Sequence, residues 1–95
     1  SLREVFGADL ARLPVSSNKS QIGHTLGAAA AIEAALAIEG MQRGIVLPTV
    51  NYVADPKLGD IDVVPDEARR YNHENLISNA FGFGGTNCCI VFKGV

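Results

Sequence analysis

Lys19 and His24, five positions apart in the polar stretch Val15-Ser-Ser-Asn-Lys-Ser-Gln-Ile-Gly-His24-Thr25, are the residues best suited to chemistry. A neutral imidazole offers one N–H donor and one acceptor nitrogen, and it changes charge near neutral pH. The stretch runs directly into Leu26 to Ile38, where only Gly27 and Glu33 interrupt an apolar sequence. A helix apolar nearly all round is expected to be enclosed by protein, so its start should open into a dry interior. Backbone N–H groups at Gly23-His24-Thr25 would there favour developing negative charge and a neutral imidazole. His24 is accordingly a candidate donor to an anionic transition state. Its other reading is a hydrogen-bonded structural histidine, and the nearby Lys19 favours function. Lys19 itself reads either as a solvated loop cation or as a partner of the reacting groups.

The second constellation is Phe81-Gly82-Phe83-Gly84-Gly85. It lacks the Lys-Ser/Thr of a nucleotide-binding loop and leads into a strand, so it does not read as a phosphate cradle. Gly82, Gly84 and Gly85 leave the backbone free to bring an N–H close to a reacting group. The alternative is a tight turn with both Phe rings in the core; Phe81 is assigned to packing. Thr49 carries a hydroxyl that could reach a substrate arm, although surface hydroxyls are ordinary. Ser16, Ser17, Asn18, Ser20 and Asn79 read as loop caps and ties. Cys88 and Cys89 are adjacent on a strand, which makes a disulfide between them strained, and they read as buried reduced thiols. His73 reads as a solvated loop residue, and two histidines without a Cys/Asp cluster do not make a metal site.

The elements that must position these groups follow from periodicity. Leu2, Val5, Phe6 and Leu10 space a short amphipathic surface helix that ends near Pro14, and Leu13 to Ser17 reads as a short strand. The central helix is expected from about Ile22 to Arg43, stopped by Gly44, with a favourable cation in its last turn. Leu47 to Pro65 reads as a wandering connection, with a turn over 51–56 and an extended piece over 61–64. Asn75 to Ala80 and Cys88 to Lys93 read as an antiparallel strand pair joined by the Gly-rich turn Phe81–Thr86.

With 47% hydrophobic and 19% charged residues in 95, the chain has globular composition and room for at most one domain. A helix apolar on all sides needs more cover than so short a domain supplies, so residues 1–95 are expected to be an incomplete domain. Net charge −2 without a basic stripe disfavours nucleic acid and anionic membrane as partners. No apolar run has the length of a membrane span, and Ser1-Leu-Arg-Glu begins neither a signal nor a transit peptide. Reduced cysteines favour a cytoplasmic location.

Lys19-Ser-x-x-Gly-His24-x-x-Gly-Ala-Ala, then Leu47-Pro-Thr-Val-Asn51, then Asn79-Ala-Phe-Gly-Phe83-Gly-Gly-Thr-Asn87 closely resemble the C-terminal part of the β-ketoacyl synthases, which condense acyl chains on carrier proteins. The resemblance covers essentially the whole chain. It implies the thiolase-like layered α/β/α/β/α fold, of which this chain would be part of the C-terminal half. It also implies a decarboxylative Claisen condensation of an acyl thioester with malonyl-[acyl-carrier-protein], giving a 3-oxoacyl product in fatty-acid or polyketide synthesis. In this family His24 corresponds to the histidine of malonyl decarboxylation, and Lys19 to an active-site lysine that Glu33 is placed to pair with. A buried Glu without a cation would be costly, whereas an edge position would let Glu33 reach solvent.

By the same resemblance the Phe83 N–H contributes to an oxyanion hole and its ring gates the acyl pocket, while Gly82, Gly84, Gly85 and Thr49 support substrate binding. The substrates ride on the phosphopantetheine of an acyl carrier protein, so no separate cofactor is expected. Arg12, Arg43, Arg69 and Arg70 are candidates to dock that carrier, and a homodimer is expected. The Cys nucleophile and first catalytic His of the family have no counterpart in this sequence, so the segment alone is expected to be inactive. Ala30, Asn18, Ala80 and Cys88 depart from the usual family residues, which leaves the subfamily open. Two rivals remain: a non-catalytic ketosynthase-like partner subunit of the chain-length-factor type, and a free-standing ligand-binding domain using the Gly-rich loop.

Overall fold

The computed structural model describes residues 1–95. The chain opens with helix α1 (Leu2–Phe6), which tightens into a 3₁₀ turn over Gly7–Arg12 and buries Leu10. Helix α2 (Lys19–Ile22) follows, then a 3₁₀ turn over Leu26–Ala28 and the long helix α3 (Ala29–Arg43). The strands are β1 (Ile45–Val46), β2 (Arg69–Arg70), β3 (Asn75–Phe81) and β4 (Asn87–Lys93). β1 pairs antiparallel with β2, and β3 with β4, giving two separate two-stranded sheets.

The expected central helix is split. Gly23, with φ 76°, ends α2, and Leu26, with φ 52°, turns the chain again before α3 begins at Ala29. Leu13–Ser17 is not a strand: Leu13 is extended, but the segment's one backbone bond to a distant segment runs from Val15 N–H to Asp62 O at 2.7 Å. The end of α3 is as expected: Gly44 adopts φ 63°, ψ 39° and its N–H caps the helix, with Arg43 in the last turn. The Gly44 carbonyl then accepts the Tyr71 N–H at 2.9 Å, which brings β2 beside β1.

The β3–β4 hairpin has the expected pairing, from Asn75 opposite Lys93 to Phe81 opposite Asn87. One face carries Leu76, Ser78 and Ala80, all half-buried, while the alternate residues of β3 are exposed. α3 packs against β3 and β1. A close approach makes this packing possible: a Cβ on Gly40 would lie 2.9 Å from the Ile45 carbonyl oxygen. The Leu47–Asn51 segment lies along residues 62–66 through Thr49 N–H to Val64 O at 2.9 Å and Asp66 N–H to Thr49 O at 3.0 Å.

Enclosure of α3 does not occur within these residues. Ala29 and Gly40 are buried, but Ala30, Ala31, Ile32 and Ala35 are exposed. Cys88 and Cys89, expected to be buried, are exposed free thiols, and Phe81, expected to pack, is exposed as well. Only six of 95 residues are buried, and the accessible surface of 6873 Å² exceeds the roughly 5,200 Å² of a compact monomer of this mass. Ala30, Ala31, Ile32 and Ala35 of α3 and Ile90 and Val91 of β4 are therefore left uncovered by the described chain. No helix is long and apolar enough to cross a membrane.

Candidate active site

Lys19 opens α2 and Glu33 lies in the second turn of α3, and the broken path between them folds the two side chains together. Lys19 Nζ donates to Glu33 Oε1; the Glu33 side chain is 15% exposed and that of Lys19 38%. The pair is thus partly shielded, and the carboxylate is the more enclosed member.

His24 sits in the turn between Gly23 and Leu26 and is exposed in the chain itself. His24 does not stand at the head of α3, which starts only at Ala29. A local bond orients the ring instead: Leu26 N–H donates to His24 Nδ1 at 3.0 Å. With Nδ1 accepting, a neutral imidazole carries its proton on Nε2, which is left to donate outward. The donor, Leu26, itself adopts an uncommon positive φ, which turns the chain away from His24 into the 3₁₀ turn that follows.

The Gly-rich loop closes the end of the β3–β4 hairpin. Gly82 N–H bonds to Thr86 O at 2.7 Å, and Gly84 and Gly85 adopt φ 88° and 90°, conformations that favour glycine. Phe83 stands at the tip, 95% exposed, and its N–H makes no hydrogen bond within the chain. No hydrogen bond links this loop to His24 or Lys19, and none links His24 to the Lys19–Glu33 pair, so Lys19 and Glu33 are the only candidates that a side-chain bond brings together.

Thr49 is tied into the Lys19 loop: its Oγ1 accepts the Ser17 N–H at 3.0 Å. Ser20, read from the sequence as a loop tie, makes the complementary one, to Val50 N–H. Of the four candidate docking arginines, Arg12 pairs with Asp9, Arg43 with Glu39 and Arg69 with Asp62, while Arg70 makes no ion pair. His73 bonds through Nδ1 to the Tyr71 carbonyl at 2.8 Å, and no group of three His, Cys, Asp or Glu could hold a metal ion.

The family described as beta-ketoacyl synthase, C-terminal domain, matches residues 1–53, more than half of the chain. The chain belongs to the β-ketoacyl synthase family. Among curated ketosynthase relatives, 3-oxoacyl-[acyl-carrier-protein] synthase 2 of Coxiella burnetii is 39% identical over the whole of this chain, which spans 23% of that protein. The synthase 2 of Vibrio harveyi is 51% identical over 83% of this chain and 19% of its own length. The chain thus spans about a fifth of the curated ketosynthases it matches.

Solved ketosynthases share the fold. The AntDE:AntF assembly, a type II PKS acyl-carrier protein in complex with its ketosynthase bound to the hexaketide, superposes with a TM-score of 0.93 at 33% identity, over 99% of this chain and 23% of that one. A β-ketoacyl synthase from Burkholderia phymatum superposes with a TM-score of 0.82 at 44% identity, over 87% of this chain and 21% of that one. The α/β architecture of the described residues is therefore part of the thiolase-like ketosynthase fold.

Proposed function

We propose that residues 1–95 act as the C-terminal part of a condensing enzyme that joins an acyl thioester to malonyl-[acyl-carrier-protein]. The observation that carries this reading is the His24–Leu26 bond, which leaves a neutral Nε2–H donor facing outward. In the reaction, the carbon–carbon bond to the malonyl carboxylate breaks, carbon dioxide leaves, and the electron pair becomes the enolate of the thioester. His24 Nε2–H donates to the enolate oxygen as its charge grows, an effect worth about 3–4 kcal/mol in comparable oxyanion sites. The carbanion then attacks the acyl thioester held on a nucleophile supplied from outside these residues.

The unbonded Phe83 N–H donates to the tetrahedral oxyanion, and collapse expels the thiolate and releases the 3-oxoacyl product. The Lys19–Glu33 pair fixes the ammonium five positions before His24 and keeps it from acting as a competing, mobile charge. Substrates reach the site on the phosphopantetheine of an acyl carrier protein; Arg70, the unpaired candidate, is the cation best placed to meet its acidic surface. The enzyme works in the cytoplasm as a homodimer, whose remaining elements cover α3 and β4.

The test uses the full-length protein with a radiolabelled acyl primer and malonyl-[acyl-carrier-protein]. Labelled acyl-enzyme, carbon dioxide release and 3-oxoacyl product are expected, with release lost in His24→Ala. A full-length protein that never acquires the acyl label would instead be a non-catalytic partner subunit.

A further inference from the structure

Two hydroxyls outside the proposed reaction join the Lys19 loop to the segment beside it, each taking a backbone N–H from the other side. Ser20 Oγ accepts the Val50 N–H at 2.8 Å and donates to the Ser17 carbonyl at 2.9 Å. Thr49 Oγ1 accepts the Ser17 N–H at 3.0 Å. Ser17 therefore has its N–H and its C=O held by the two hydroxyls, and Ser20 adjoins Lys19 in α2. The Thr49–Val50 side is itself fixed. Thr49 bonds through both backbone groups to the 64–66 segment, Asn51 N–H donates to Asp66 Oδ1 at 2.9 Å, and Val64 beneath them is 2% exposed.

We propose that Ser20 and Thr49 form a reciprocal hydroxyl clamp that positions Lys19 and His24 for the reaction. Both are positioning residues; neither needs to touch substrate. α2 is a single turn between Asn18 and Gly23, too short to hold its own geometry. Without the clamp the Lys19–Glu33 pair would be its remaining side-chain anchor, and His24 would move with the turn. A ligand-reaching role for Thr49 is the competing account, and it differs in outcome: a clamp residue affects turnover, a carrier-arm contact affects substrate affinity.

The inference rests on the condensing function proposed above, and the test separates the two. In the full-length protein, kcat and KM for malonyl-[acyl-carrier-protein] are measured for Ser20→Ala, Ser20→Thr, Thr49→Val and the Ser20→Ala/Thr49→Val double variant. Each hydroxyl deletion is expected to lower kcat about tenfold or more with KM nearly unchanged, because small misplacements of catalytic groups act on the chemical step. Ser20→Thr restores turnover, and the double variant loses less than the product of the single losses.

Unchanged kcat in Ser20→Ala overturns the clamp, and a rise in KM alone in Thr49→Val assigns Thr49 to the carrier arm instead. Should Ser20→Ala not fold, Ser20→Cys, which keeps the volume with weaker hydrogen bonding, takes its place. If the wild type itself does not condense, the functional reading fails and the clamp is judged by amide hydrogen exchange. Selective loss of protection at Val50 in Ser20→Ala and at Ser17 in Thr49→Val upholds it; equal exchange in all variants overturns it.

Discussion

His24 and Leu26 are two residues apart, and the backbone N–H of the second holds the ring of the first by a 3.0 Å bond to Nδ1. Leu26 itself sits at φ 52°, a conformation that glycine tolerates at less cost. Leu26→Gly is therefore expected to keep activity within a few-fold while changing stability by less than about 1 kcal/mol, since relieved strain offsets added chain entropy. Leu26→Pro, which deletes the N–H and cannot reach this φ, is expected to lower malonyl decarboxylation about a hundredfold, towards the level of His24→Ala. Decarboxylation rates of the three variants in the full-length protein check this.

Glu33 holds Lys19 across a separation of 14 residues, with the carboxylate more enclosed than the ammonium. Glu33→Gln keeps shape and one hydrogen bond but removes the charge. We expect a loss of about 1 kcal/mol, modest because Lys19 is partly solvated, together with reduced turnover. Denaturant midpoints and steady-state rates measured side by side decide it; unchanged values for both would remove the pair from the mechanism.

Gly40 lies where α3 meets β1, and an added Cβ would stand 2.9 Å from a backbone oxygen that cannot rotate away. Alanine improves helix propensity by about 1 kcal/mol, but the overpacking costs about 1–3 kcal/mol, so Gly40→Ala is expected to be net destabilising. A denaturant midpoint at or above the wild-type value would show that α3 and β1 do not pack this closely.

Phe83 offers two separable groups, a ring at the loop tip and an unbonded N–H. Phe83→Ala keeps the N–H and is expected to blur discrimination between acyl and malonyl thioesters. Gly84→Val forces a branched side chain onto φ 88°, shifts the neighbouring N–H, and is expected to lower kcat by about tenfold to a hundredfold. Competition between the two thioesters, followed by product analysis, distinguishes these effects.

The parts of the fold legible in the sequence are those written in local residue chemistry. The β3–β4 hairpin follows from two apolar runs around a Gly-rich turn, and the end of α3 from Gly44 after Arg43. The start of α3 was not legible, because Thr25 and Leu26 look helical and nothing marks Leu26 for a positive φ. β1 and β2 escaped notice because two-residue strands separated by a long connection carry no periodicity. The His24, Lys19 and Phe83 candidates stood out by type and motif. Ser20 reads as a loop tie, but its partner Val50, and Ser17 as the partner of Thr49, did not stand out, since hydroxyls in loops have many possible partners and only the fold chooses among them.

The open flank of β4 has a bearing on the order of events during folding. A hairpin closed by so short a loop pairs on the order of microseconds, while contacts between distant segments wait on slower loop closure. For that interval Ile90 and Val91 and an unpaired strand edge are available to any neighbouring chain. Synthesis of this protein thus sets the covering of this edge against its capture by a second chain, a contest that concentration sharpens.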